Sequence, residues 1–143
     1  MEQTLEQTKT NSNFVLKVEG NDRGNFLPTV LPGYFMRFEN VVYQFMDKIC
    51  PSYSGARWEF FKLEGGGFYM APDGSDDLEI TMPFGNHFSD TLTPDAAGIL
   101  ATLLALNYIA SKYESQQAGE QYFKLHDYVY QHSESSKLHR ALD

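Results

Sequence analysis

Apolar positions recur along this chain in three rhythms. Between Tyr34 and Ile49, the residues Phe35, Phe38, Val42, Phe45 and Ile49 return at steps of three and four. That is the period of an amphipathic helix with one buried stripe. Arg37, Glu39, Gln44, Asp47 and Lys48 fall mostly elsewhere on the wheel. Cys50-Pro51 ends the helix, because the residue before proline is pushed out of the helical region. From Ala56 to Leu63 the pattern shortens to an aromatic-rich strand. Glu64-Gly65-Gly66-Gly67 reads as a hairpin turn, since glycine accepts the positive φ such turns require. Phe68 to Ala71 is the return strand, Pro72-Asp73-Gly74-Ser75 a second turn, and Leu78 to Met82 a third strand. Successive strands joined by short turns predict an antiparallel meander. The third rhythm is the near-continuous apolar block from Ala96 to Ala110. Thr93 is placed to cap it, Pro94 suits the first helical position, and Asp95 favours the positive helix end. This helix is predicted to run to Lys112 and to lie at the centre of the fold, because it is apolar almost all round.

The flanks are patterned more weakly. Met1 to Asn13 is polar and aperiodic and reads as a disordered leader whose removal leaves stability nearly unchanged. Phe14 to Val18 reads as a short strand. Asp22 to Leu31 reads as a helical turn and then a loop that Pro32-Gly33 closes. Gly119 reads as a break before a more polar helix from Glu120 to His132, packed through Tyr122, Phe123 and Val129. Ser135 to Leu142 reads as a last fraying turn. The predicted class is α+β: residues 14–143 form one domain, a small antiparallel sheet of about three to four strands packed with about four helices.

Composition removes several function classes. A single cysteine, Cys50, excludes an internal disulfide and argues against a Cys-based zinc site. The apolar block from Ala96 is shorter than the about 20 residues a membrane span needs, and the polar first dozen residues are no signal peptide. A cytoplasmic protein, away from membranes and monomeric, is the expectation. The net charge of −8 disfavours direct DNA binding, because phosphates select basic faces. The charge is uneven: residues 50–98 carry a net of −6, and no Lys or Arg occurs between Lys62 and Lys112.

Candidate chemistry is sparse. The triple glycine lacks the Gly-Lys-Ser/Thr that a phosphate loop requires. Asp73, Ser75, Asp77 and Glu79 alternate like the opening of a calcium loop, but Leu78 and Phe84 stand where such a loop needs Gly and Glu. His87, His126, His132 and His139 match no helical zinc spacing. Cys50 with His87 is a formal nucleophile–base pair, yet a cysteine before proline at a helix end reads as a small buried hydrophobe. Trp58, Tyr69 and the phenylalanines lack the interleaved cations of a base-stacking surface and read mainly as core. No catalysis, cofactor or metal is expected.

The wording of the chain is more informative than its chemistry. The run begins at Phe26-Leu27-Pro28 and continues through YFMRFENVVYQFMDKICPSY, Tyr34 to Tyr53. It passes through WEFFKLEGGGFYMAPDGSDDLEITMPFGN, Trp58 to Asn86, and ends at LTPDAAGILATLLALNYIA, Leu92 to Ala110. In this order and spacing it resembles the ArdB/KlcA family of antirestriction proteins. No single motif carries the resemblance; the ordered set does. It implies a protein encoded by a plasmid or integrated element that protects incoming DNA from host type I restriction–modification systems. It also implies an α+β fold with no catalytic centre.

For the mechanism, three routes follow from the resemblance. One is contact with a protein partner, a host type I restriction–modification enzyme, or an indirect route. A second is DNA mimicry in the enzyme's groove, and a third is a DNA-associated accessory factor. Duplex DNA carries about one charge per 1.7 Å, so a ten-base-pair mimic needs on the order of 20 carboxylates. The window from Glu64 to Asp95 holds 7. We therefore expect a protein contact or indirect route, with the acidic turn at most steering a basic partner. The candidate contact residues are Tyr69, Asp73, Asp76, Asp77, Asn86 and His87, at turns and strand ends that the fold does not obviously need.

Overall fold

The computed structural model describes residues 15–143. The leader predicted at 1–13 lies outside the described residues. The order of elements is β1 (Val15–Lys17), α1 (Asp22–Val30), α2 (Phe35–Ile49), β2 (Trp58–Leu63), β3 (Phe68–Pro72), β4 (Leu78–Thr81), β5 (Ser89–Leu92), α3 (Pro94–Lys112), α4 (Gln116–Val129) and α5 (Ser135–Leu142). This is the α+β class expected, with five helices among the described residues.

The glycine hairpin forms as predicted. β2 and β3 pair antiparallel with Phe60 opposite Met70. Gly66, at φ +96°, donates its N–H to the Leu63 carbonyl at 3.0 Å and closes the turn. β1 pairs with the other edge of β2, Leu16 opposite Lys62.

The meander stops there, which corrects the expectation for the third strand. β4 does not continue onto β3; it pairs with β5, Ile80 opposite Asp90, as a separate two-stranded ribbon. The outer edge of β3 is already covered by α3. The Thr102 hydroxyl accepts from the Met70 N–H and donates to the Met70 carbonyl, both at 3.2 Å, as a neighbouring strand would. Four residues earlier on the same helix stripe, Gly98 lets the two backbones meet. A Cβ there would lie 2.3 Å from the Ala71 Cβ and 2.6 Å from the Met70 carbonyl oxygen.

α3 is the central helix its composition predicted. The Thr93 side chain accepts from the Ala96 N–H, Pro94 opens the helix, and Ile99, Leu100, Leu103, Leu106 and Ile109 are fully buried. α2, α4, α5, β3 and the β4–β5 ribbon all pack on it. α2 buries Phe38, Val42, Met46 and Ile49; Phe35 and Phe45, at the margins of the stripe, are only partly covered.

Three local expectations change. Asp22 to Val30 is a full helix, with Pro28 inside it and Phe26 and Leu27 in the core. α4 begins at Gln116, capped by Ser115, and passes straight through Gly119. It packs through Ala118, Gln121, Leu125 and Val129, while Phe123 is 68% exposed. α5 is a docked helix that buries Leu138 and Ala141.

Candidate functional site

The predicted contact residues divide into three places. The turn between β3 and β4 carries Asp73, Asp76 and Asp77, all exposed. Asp73 is anchored through its backbone: its N–H donates to the Arg57 carbonyl at 2.7 Å, and its carboxylate accepts from the Gly74 N–H at 3.1 Å. Asp73 and Asp76 line a 220 Å³ cleft together with Ser52, Ser54 and Gly55. The cleft therefore offers carboxylates and hydroxyls without a cation.

Asn86 and His87 sit at the other end of the β4–β5 ribbon. Four strand residues at about 3.3 Å each separate the two turns by at least about 13 Å, so they do not form one site. Asn86 is structural as well as exposed. Its Nδ2 donates to the Arg140 carbonyl at 2.6 Å, and its Oδ1 accepts from the Phe88 N–H at 3.1 Å. It thereby ties the end of α5 to the ribbon. His87 takes the left-handed conformation at φ 60°, which few non-glycine residues adopt, and its side chain is free in solvent among the described residues. With Arg140 and Asp143 it borders an open hollow of 440 Å³.

Tyr69 is not at the surface, contrary to its expected place among the contact residues. It is 2% exposed in the middle of β3, stacked on Phe61 with ring centroids 4.9 Å apart. Its hydroxyl donates to the Asp95 Oδ1 at 2.7 Å. Burial, the Asp95 charge and that hydrogen bond hold the phenol far above its ordinary pKa, so it stays protonated. All five residues of β3 are buried, because both of its faces are covered: Phe68 packs edge-on against Phe26 of α1 and Phe38 of α2, and Tyr69 stacks on Tyr128 of α4.

Asp95 is also the node of a network that sequence spacing could not reveal. Its second oxygen faces the His132 Nε2 at 2.8 Å. The His132 Nδ1 accepts from the Glu134 N–H at 3.0 Å, which assigns the ring proton to Nε2 and makes His132 the donor to Asp95. The Glu134 carboxylate accepts from the Thr93 N–H at 3.1 Å and from the Thr93 hydroxyl. These residues lie 37 and 41 positions apart and clamp the connection between α4 and α5 onto the start of α3. The nearby hydroxyl of Thr93 is fully used in the clamp and in the helix cap.

A second missed cluster fastens α1 to β2. Glu59 accepts from the Arg23 Nη1 at 2.6 Å and from the Arg57 Nε at 3.0 Å, and Arg23 also donates to the Trp58 carbonyl at 2.9 Å. The Arg57 hydrogen bond, joined by the charges of Arg57, Lys17 and Arg23, holds the Glu59 carboxyl below its ordinary range against its partial burial. Among the described residues, no group of three or more His, Cys, Asp or Glu is arranged to hold a metal ion.

These are the parts of a hydrogen-bonded scaffold with acidic turns. Comparison with known proteins places it. Residues 51–143 match the family model described as antirestriction protein. An antirestriction protein KlcA of Escherichia coli is 40% identical over 126 residues, covering 85% of this chain and 88% of that relative. The chain belongs to the antirestriction protein family. A second Escherichia coli KlcA is 36% identical over 134 residues, 89% of this chain and 91% of that protein. A solved structure superposes with a TM-score of 0.84 at 38% identity, covering 95% of this chain and 99% of the other. It comes from work on KlcA and ArdB that describes a novel fold and antirestriction activity against type I DNA restriction systems in vivo but not in vitro. The family resemblance read from the ordered motifs is thus borne out, and so is the single α+β fold it implied.

Proposed function

We propose that this antirestriction protein protects incoming mobile-element DNA from host type I restriction–modification systems in the cytoplasm. It does so without catalysis, through contact with a protein partner, the type I enzyme being the first candidate, or by an indirect route. The observation that carries the reading is the match over most of the chain, in sequence to KlcA and in fold to a structure from work on KlcA and ArdB that describes activity in vivo but not in vitro. Simple occupation of the enzyme's DNA groove would be expected to act in vitro as well, and so would contact with the enzyme alone. The in vivo setting therefore favours a contact that needs a further cellular component, or the indirect route.

The carboxylates support the same choice. Of the seven between Glu64 and Asp95, Asp90 pairs with Arg140 and Lys137, and Asp95 with Tyr69 and His132. Those that remain divide between the hairpin tip, the acidic turn and β4, against the on the order of 20 that a ten-base-pair mimic requires. No helix among the described residues is long and apolar enough to cross a membrane.

The test is plating efficiency. Expressed in a host with an active type I system, the protein raises the plating efficiency of unmodified phage and affects modification of host DNA less. Unchanged plating at verified soluble expression, across several type I families, would sink the reading.

A further inference from the structure

Helices α2 and α3 leave a groove on their solvent side. Phe45 of α2 meets Tyr108 of α3 edge-to-face with centroids 6.5 Å apart, and Arg37 near the start of α2 lies 5.2 Å over the ring of Tyr113 just beyond α3. The two helices therefore run antiparallel. Between them Val41, Gln44, Phe45, Lys48 and Tyr108 line a hollow of about 120 Å³. Phe45 is only partly covered and Tyr108 is 41% exposed, so the floor of the groove is apolar and open.

Its rim is cationic, although the protein as a whole carries −8. Lys48 stands 5.9 Å over Phe45, and Lys112 stands 6.0 Å from both Tyr108 and Tyr113. Neither these lysines nor Arg37 has a carboxylate partner among the described residues, whereas Arg23, Arg57, Lys137 and Arg140 all do. A cation resting on a ring is positioned but not neutralised, so it remains available to an anion. Arg37 and Lys48 are eleven residues apart on one helix, about 16 Å at 1.5 Å per residue. The groove is thus an apolar seat for one side chain with positive charge at both ends.

We propose that this groove docks an acidic segment of a protein partner. One apolar side chain of the segment sits between Phe45 and Tyr108, and flanking carboxylates meet Arg37, Lys48 and Lys112. The inference rests on the protein-contact reading above and names a surface for it, on elements other than the acidic turns. Nucleic acid fits the groove less well. Three cations displace about three counterions, whereas strongly salt-dependent DNA binding uses about 6–10 phosphate contacts. Repulsion from the distant acidic turns is screened beyond about 8 Å at physiological salt, so local charge decides the partner.

The experiment is fluorescence anisotropy of the full chain with a labelled peptide bearing a central Leu flanked by Glu. Parallel arms use the peptide with Lys for Glu, the peptide with Ala for Leu, and a single-stranded oligonucleotide. The Glu–Leu peptide binds best. Lys48→Glu with Lys112→Glu weakens it by about tenfold or more, and Tyr108→Ala by about fivefold, as expected when close charge pairs and an apolar anchor are lost. Lys17→Glu with Lys62→Glu, the same charge change on exposed strand positions, leaves binding within about twofold if local charge governs. No binding of the Glu–Leu peptide, tighter binding of the oligonucleotide, or equal loss in both double variants overturns the inference. Plating separates the two readings. A wild-type protein that fails to protect phage sinks the proposed function, whereas a Lys48→Glu, Lys112→Glu variant that loses peptide binding yet protects fully sinks the groove alone.

Discussion

The hydroxyl of Thr102 in α3 both accepts from the N–H and donates to the carbonyl of Met70 in β3. One side chain thus does for the sheet edge what another strand would do, in a fully buried position. An unpaired strand edge is otherwise a template for pairing with a further chain. Thr102→Val keeps the shape and leaves the Met70 N–H unsatisfied, so it is expected to cost about 1–3 kcal/mol. Thr102→Ser, which keeps the hydroxyl, costs less. Chemical denaturation of the two variants checks the order; equal losses would show that the methyl group, and not the hydrogen bonds, matters.

Gly98 makes that approach possible. In Gly98→Ala the new methyl group meets backbone atoms of Ala71 and Met70, which cannot swing away as a side-chain tip does. Overpacking of a core costs about 1–3 kcal/mol, and the backbone contact puts this case at the top of the range or above it. Leu103→Ala and Leu106→Ala, both at fully buried positions, should cost about 2–5 kcal/mol through lost burial and cavity formation. Thermal melts of all three compare them directly. Gly98→Ala as stable as wild type would mean that α3 and β3 can move apart.

Glu59 supplies a pH dependence whose sign is fixed. Its carboxyl is held below its ordinary value of 4.5 in the folded state by Arg57, with Arg23 and Lys17. The folded protein therefore binds this proton less readily than the unfolded chain. The contribution is complete above the ordinary carboxylate range and is lost as pH falls through the folded pKa. Glu59→Gln should lower the melting temperature at neutral pH, with the gap to wild type closing as the pH is taken well below 4.5. A gap independent of pH would assign the effect to packing instead of charge.

The two turns should behave differently. Replacing Asp73, Asp76, Asp77 and Glu79 by Asn or Gln relieves repulsion among neighbouring exposed carboxylates, so stability is expected to hold or rise slightly. Antirestriction is expected to fall at most in part; its abolition with an intact fold would return DNA mimicry to first place. Asn86→Ala removes the link to the Arg140 carbonyl and the cap on Phe88, so it should lower stability by about 0.5–1.5 kcal/mol per hydrogen bond lost. His87→Asn, which removes the imidazole and tolerates the left-handed conformation, should leave folding unchanged, and plating efficiency then reports directly on any contact the ring makes.

What the sequence determined by itself are the features settled within a few residues. The stripe of α2, the Thr93-Pro94-Asp95 start of α3 and the glycine turn between β2 and β3 each satisfy their own backbone groups over one or two turns of chain. Their spacing is therefore visible in a linear text, and so is the ordered wording that marks the family. Length, one cysteine and the charge also bounded what the chain could be. Tertiary structure alone decided which partner each edge and each charge would take. Ser89 to Leu92 has no apolar rhythm and becomes a strand only because β4 needs a neighbour once Thr102 and Gly98 have closed β3 to it. Tyr69 looked like a strand-end aromatic and is buried between Phe61 and Tyr128, where Asp95, 26 residues away, receives the hydroxyl that burial would otherwise leave unpaired. Arg23 found Glu59 across 36 residues and His132 found Asp95 across 37. Such pairings depend on burial, which makes an unpaired polar group costly, and burial exists only once the helices and strands have packed.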